Sequence, residues 1–282
     1  MSENVNKYLD KEIKCLDYGF VRLVDIMGDD SAIVQAARVS YGKGTKSVSE
    51  DRGLIRYLMR HKHTSPFEMV EFKFHIKLPI FIARQWIRHR TANVNEYSGR
   101  YSEMKDEFYI PEKSQIRTQS TVNKQGRSDE TLQESSISRI NEIFESSQKS
   151  SFDEYTEMLN LGLARELARI NLPLSNYTEW YWKIDLHNLF HFLRLRMDSH
   201  AQYEIQVYGN AIAEIVKSSV PLAWEAFEDY IFNAINFSGQ EIKALSKLIN
   251  TENIPDIDTL VNNGLSKREA SEFILKLSSF LK

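Results

Sequence analysis

At 282 residues the chain is long enough for one large domain or two small ones with an ample core. Apolar residues make up 42% and charged residues 27%, and the net charge is −3, which fits a soluble protein and argues against bulk electrostatic binding of nucleic acid. No apolar stretch approaches the roughly 20 residues needed to span a bilayer, and the polar N-terminus lacks a signal-peptide core, so a cytoplasmic protein without membrane contact is expected.

Residues 20–27 alternate as a strand, and Asp29 or Asp30 can cap a helix running through Arg38. Residues 40–49 read as a loop, and Ser47 with Glu50 forms a capping box opening a helix through His61, with Leu54, Ile55, Leu58 and Met59 on one face. The clearest strand is 68–78, where Val70, Phe72, Phe74, Ile76 and Leu78 alternate with Glu71, Lys73, His75 and Lys77. Pro79 suits the start of a helix to about Arg90 that turns Ile80, Ala83 and Ile87 inward, with the Asn-rich stretch beyond it as a loop. Residues 112–136 are polar and read as a mobile surface insertion. Helical spacing returns from about Ile137 to Leu161, with Gly162 as its stop, and Pro173 closes a short helix bearing Arg165 and Arg169. Residues 177–184 are aromatic and strand-like. Asp185 can cap a helix that buries Leu186, Leu189, Phe190, Leu193 and Met197, and another helix spans about 201–218. Beyond Phe232 two capping-box helices start near Ser238 and Ser266, with Asn262-Asn263-Gly264 as a turn between them. No internal repeat is present. Strands and helices in this order suggest an α+β class.

The chemistry concentrates in residues 84–101. Arg84, Arg88, Arg90 and Arg100 supply fixed cations, and Gln85, His89, Asn93, Asn95, Glu96 and Ser98 lie among them. Guanidinium groups match phosphate oxygens in a two-pronged way, and amides read imide and carbonyl edges. The segment suits a phosphorylated, hydrogen-bond-rich small molecule such as a nucleotide. A solvated basic face is the bland alternative. Arg196 invites two readings, a ligand-binding cation or a structural ion pair with Asp198 or Glu204. Ser98 has no evident base, and reads as a hydrogen-bonding group rather than a nucleophile. His187 and His191 lie four apart on a helix, yet the residues between them lack the Glu of a metalloprotease helix, so no metal is expected. No Gly-x-Gly-x-x-Gly fingerprint or P-loop occurs.

Arg88-His89-Arg90, then Ser98-Gly99-Arg100-Tyr101 after a seven-residue spacer, resembles the signature of the flavin-dependent thymidylate synthases. Three further segments resemble that family in its order: His63-Thr64-Ser65-Pro66-Phe67-Glu68, Ala164-Arg165-Glu166-Leu167-Ala168-Arg169, and Leu195-Arg196-Met197-Asp198-Ser199-His200-Ala201-Gln202. The likeness covers roughly residues 15–232; it implies a synthase domain over 1–232, with the insertion at about 112–136, and a helical extension over 233–282.

The resemblance implies a central, mostly antiparallel sheet with flanking helices, assembled as a homotetramer with FAD at subunit interfaces. It implies reductive methylation of dUMP to dTMP, with methylenetetrahydrofolate as carbon donor and NADPH as reductant through FAD. Carried over residue by residue, Arg196 becomes the catalytic residue at the uracil edge. Gln85, Trp86, Ile87, Arg88, Glu96, Tyr97, Ser98, Gly99, Arg100 and Arg169 line dUMP with it. Ser65, Arg88, His89, Arg90, Glu96, Asp185, Leu186, His187 and His191 face the flavin. Around Asp185, His187 and His191 the chain departs from the family's usual asparagine and arginine, and a capping carboxylate beside an anionic cofactor would be repelled. The better-known thymidylate synthases attack uracil with a cysteine thiolate; the single cysteine here, Cys15, reads as structural, so the chemistry should run without it. The rivals are an RNA-binding regulator using the Arg-rich helix, marked by steep salt dependence, and a histidine-based metallohydrolase, marked by stoichiometric metal.

Overall fold

The computed structural model describes residues 7–39, 48–122, 124–248 and 254–280. The loop read over 40–49 falls mostly, and the Ser47 cap wholly, outside the described residues. Two compact units divide after Phe232.

The first unit is built on a five-stranded sheet in the order β1-β2-β3-β7-β4, antiparallel at every pairing. β1 (Glu12–Cys15) and β2 (Gly19–Met27) form a hairpin, β3 is Glu71–Pro79, β4 is Asn93–Glu96 and β7 is Tyr177–Asp185. Phe74 pairs with Trp182 and Ile76 with Trp180 in the β3–β7 register. The alternation seen in the sequence has its physical cause here. Phe72, Phe74, Ile76, Trp182 and Ile184 belong to the core, while Lys73 and Tyr181 are exposed. The α+β class with an antiparallel central sheet is therefore observed.

Helix α1 (Asp30–Ala37) is capped by Asp29, which accepts from the Ser31 amide at 2.9 Å. Asp30 instead accepts from the amides of Leu222 and Ala223, both at 2.9 Å, at the start of a later helix. Helix α2 (Val48–Arg60) buries Ile55, Leu58 and Met59. Residues Phe67–Met69 form a 3-10 turn, so β3 begins three residues later than its pattern suggested. Helix α3 (Ile80–Trp86) is shorter than expected and turns Ile82, Ala83 and Trp86 inward. Ile87, expected inside, is 42% exposed.

One loop assignment is corrected, and the polar insertion carries strands of its own. The Asn-rich stretch is strand β4, drawn onto the free edge of β7 with Glu96 opposite Trp180. The polar insertion carries a hairpin of β5 (Arg117–Gln119) and β6 (Arg127–Thr131), with Ile116 buried at its foot. Helix α4 (Glu134–Asn160) ends at Gly162, whose φ of +89° is open to glycine at no steric cost. The short α5 (Arg165–Ala168) precedes β7, and α6 (Leu186–Arg196) and α7 (Tyr203–Ser219) follow it. Helix α8 (Pro221–Phe227) runs into a π-helical turn, Glu228–Phe232.

Among the described residues the second unit has three helices, α9 (Gly239–Leu245), α10 (Ile257–Asn262) and α11 (Lys267–Phe280). Ser238 with Glu241, and Ser266 with Glu269, form the capping boxes read from the sequence. Helix α10, capped by Asp256, was not anticipated. The spacing of Ile242, Leu245, Leu248 and Ile249 suggests one apolar stripe, but helix α9 ends at Leu245, Leu248 beyond it is 81% exposed, and Ile249 lies outside the described residues. Among the described residues no helix is long and apolar enough to cross a membrane.

Candidate active site

The C-terminal end of α3, the segment after it and one face of α6 enclose a pocket of about 320 Å³, lined by Arg88, His89, Arg90, Thr91, Ile184, Asn188, His191, Leu195 and Arg196. Trp86 anchors this corner. Its indole is fully buried, edge-on to Trp182 at 5.1 Å and against Phe192 at 4.5 Å. The helix end bearing Arg88 and His89 is thereby pinned to the core. The side chains of Trp86, expected at the substrate, and of Leu186, expected at the flavin, both belong to the core.

Arg196 is the last residue of α6, and its Nε donates to His89 Nε2 at 3.0 Å. A nitrogen that accepts carries no proton, so the neutral ring holds its proton on Nδ1. Burial lowers the His89 pKa to about 4, aided by the Arg196 charge and by His191. Burial also depresses the Arg196 pKa, although a guanidinium stays protonated at any working pH. The ion pair offered as the alternative for Arg196 is not what forms. Asp198 holds the His200 ring at 2.9 Å, and Glu204 is bound by Arg127. Arg196 is thus aimed into the pocket with one nitrogen fixed and, among the described residues, no hydrogen-bond partner on the rest of its fork.

Close approach makes this possible. Gly209 of α7 sits under the end of α6, where an added Cβ would lie 3.3 Å from both the carbonyl carbon and the oxygen of Arg196. At the other end of α6, both oxygens of the Asp185 carboxylate are engaged by Asn188, through its amide N at 2.9 Å and Nδ2 at 2.7 Å. Asp185 therefore caps the helix, and it is Asn188 that reaches the pocket.

A second cluster forms beyond β4. Tyr97 N donates to Glu179 O at 2.8 Å, and Ser98 Oγ accepts from Arg100 N at 3.3 Å. Gly99 is buried beneath Arg169, whose Cδ would stand 3.0 Å from a Cβ there. Arg100 pairs with Glu166 at 3.2 Å on the surface, a contact worth about 0–1 kcal/mol and easily exchanged for another anion. Glu96 accepts from Thr178 Oγ1 at 2.8 Å. Gln85 donates to Gln202. Arg88, His89, Arg90, His191 and Arg196 are thus brought to one pocket, and Ser98, Gly99, Arg100 and Arg169 lie close to one another. Ser65, Glu96, Asp185, Leu186 and His187 are not among the pocket-lining residues.

Thr91, Ile184, Asn188 and Leu195 were missed. For Asn188 and Leu195 a signal existed: they stand three before and four after His191, on one helical face. Among the described residues no group of three or more His, Cys, Asp or Glu side chains is gathered as a metal ion would require. Cys15 is 1% exposed at the end of β1, and burial pushes its thiol up to about 12. It is a protonated thiol at neutral pH.

The sequence pattern of the family described as thymidylate synthase complementing protein matches residues 22–222. A flavin-dependent thymidylate synthase of Ruegeria pomeroyi is 54% identical over 277 residues, covering 97% of this chain and 90% of that protein. The chain belongs to the flavin-dependent thymidylate synthase family. Another member, from Treponema denticola, is 54% identical over 271 residues, covering 96% of this chain and 98% of its own length. Among solved structures, a UMP/dUMP methylase, PolB from Streptomyces cacaoi, bound with 5-Br dUMP superposes with a TM-score of 0.70 at 33% identity, covering 77% of this chain and 98% of that one. The family's sequence pattern thus spans both the Arg88–Arg90 segment and Arg196, the two walls of the pocket.

Proposed function

We propose that the protein methylates dUMP to dTMP, taking the carbon from methylenetetrahydrofolate and the reducing equivalents from NADPH. The observation that carries this reading is the Arg196–His89 contact inside a pocket walled by Arg88 and Arg90, in a chain of this family. Three guanidinium groups beside two imidazoles and an amide suit an anionic, ring-bearing ligand. These residues fit FAD. Arg88, His89, Arg90, Asn188 and His191 would hold it, with Ser65, Glu96, His187 and the main chain of Leu186 completing the site across subunits of a cytoplasmic homotetramer. When bound, FAD supplies the hydride chemistry that the protein's own side chains lack.

The chain's own groups do the rest. Arg196 binds the uracil edge, and its fixed charge stabilises the imide anion without giving up a proton. His89, neutral with its proton on Nδ1, holds Arg196 Nε and leaves the remaining guanidinium N–H groups to the ligand. Ser98, Arg100 and Arg169 receive the phosphate, while Gln85, Ile87, Tyr97 and Gly99 line the nucleotide. No thiolate takes part, since Cys15 is buried and protonated.

The test is a visible absorption spectrum of the purified protein followed by a dTMP assay. A flavin spectrum, FAD released on denaturation, and dTMP formed with NADPH and methylenetetrahydrofolate are expected. A colourless protein that makes no dTMP after loading with FAD would overturn the reading.

A further inference from the structure

Glu204, the second residue of α7, is 2% exposed and draws donors from three directions. The Tyr109 hydroxyl donates to Oε1 at 2.9 Å, Gln202 Nε2 donates to Oε2 at 2.8 Å, and Arg127 Nη2 bonds both oxygens. Burial and the Glu204 charge push the Tyr109 phenol far above its usual range, so it remains a donor. Arg127 comes from β6 of the insertion hairpin, and its Nη1 also donates to Gln115 O at 3.1 Å and Gln115 Oε1 at 3.2 Å. A buried ion pair is a poor source of stability compared with apolar packing. This one has another consequence.

A carboxylate only accepts hydrogen bonds. Gln202 must therefore turn its NH2 toward Glu204 and its carbonyl away. Gln85 Nε2 donates to that carbonyl, Gln202 Oε1. The Gln85 amide is then fixed in turn: one N–H is spent on Gln202, and Oε1 is left as an oriented acceptor. We propose that Arg127, Glu204 and Gln202 are positioning residues that hold the Gln85 amide in a single orientation toward the nucleotide. A donor on the ligand, a sugar hydroxyl or the imide N–H, meets an acceptor in that orientation and an N–H in the flipped one. This rests on the reading above that Gln85 lines dUMP.

Isothermal titration of the FAD-loaded protein with dUMP tests the relay in Glu204→Gln, in the double variant Arg127→Gln/Glu204→Gln, and in Gln202→Leu. An amide at 204 can offer either edge to Gln202, so the orientation is no longer enforced. Each variant should bind dUMP about tenfold more weakly with unchanged FAD content, the loss expected for one misdirected hydrogen bond. The double variant separates the relay from a purely structural ion pair, because it leaves no unpaired charge. Wild-type affinity in the folded double variant, or in Gln202→Leu, overturns the proposal. Gln202 is exposed, so its replacement decides the matter even where a change at buried Glu204 prevents folding. Failure of the wild-type protein to bind dUMP sinks the functional reading and the relay together, whereas wild-type binding with unaltered variants sinks the relay alone.

Discussion

Replacing Gly209 with alanine sets two effects against each other. Alanine inside α7 gains about 1 kcal/mol of helix propensity over glycine. The new Cβ, however, meets the Arg196 carbonyl carbon and oxygen at 3.3 Å, just inside ordinary contact, and the Arg196 Cβ at 3.5 Å. The neighbour is backbone, so the end of α6 must recede by a few tenths of an ångström, at a cost of about 1 kcal/mol, the low end for overpacking. The two terms nearly cancel, and Tm should shift by no more than about 3 °C. Turnover has no such compensation. Arg196 moves with its backbone, its 3.0 Å bond to His89 lengthens, and the guanidinium leaves its productive position. Losses of order tenfold accompany displacements below 1 Å, so kcat should fall by roughly fivefold with FAD content unchanged. The assay is steady-state dTMP formation beside a thermal melt. Wild-type kcat in Gly209→Ala would refute the claim that this close approach sets Arg196.

Arg196→Lys keeps the charge but loses the planar fork and the Nε bond to His89, so turnover should fall at least about tenfold while FAD stays bound; wild-type turnover would remove Arg196 from the mechanism. Because the folded His89 pKa, about 4, lies below the unfolded value of 6.5, its contribution to stability is full above pH 6.5 and is lost as pH falls toward 4. The loss is about 2 kcal/mol after allowing for partial exposure, and the difference in melting between wild type and His89→Gln should close across that window. An imidazole titrating near 6.5 in the folded protein would contradict the burial described. Cys15→Ser should keep most of its turnover, since the thiol is buried and protonated; a folded, flavin-loaded variant without activity would give Cys15 a chemical role.

The strands that carry the fold were readable because burial on one face leaves a period-two trace, as in Phe72, Phe74 and Ile76. Strand β4 left none. Three of its four residues, Asn93, Asn95 and Glu96, have little strand preference, all four are exposed, and they extend because β7 offers an unpaired edge. The insertion hairpin was illegible for a related reason. Its order is tied to a carboxylate 77 residues further on, and composition cannot show that Arg127 has a buried partner. At the site, residue types and motif order pointed to Arg196 and His89 separately. Their contact depends on how α6 crosses the end of α3, and spacing along the chain carries no record of that.

The strand order also sets a timetable for synthesis. Strand β3 is made early, but its outer neighbour β7 follows about 100 residues later, and β4, made between them, pairs with β7. At roughly 5–20 residues per second a nascent chain waits about 5–20 s with the Phe72–Phe74–Ile76 edge open. The segment from Asn93 to Arg100 cannot settle until β7 has left the ribosome. A chain stalled before Tyr177 would therefore present an unpaired sheet edge and an unanchored Asn93–Arg100 segment.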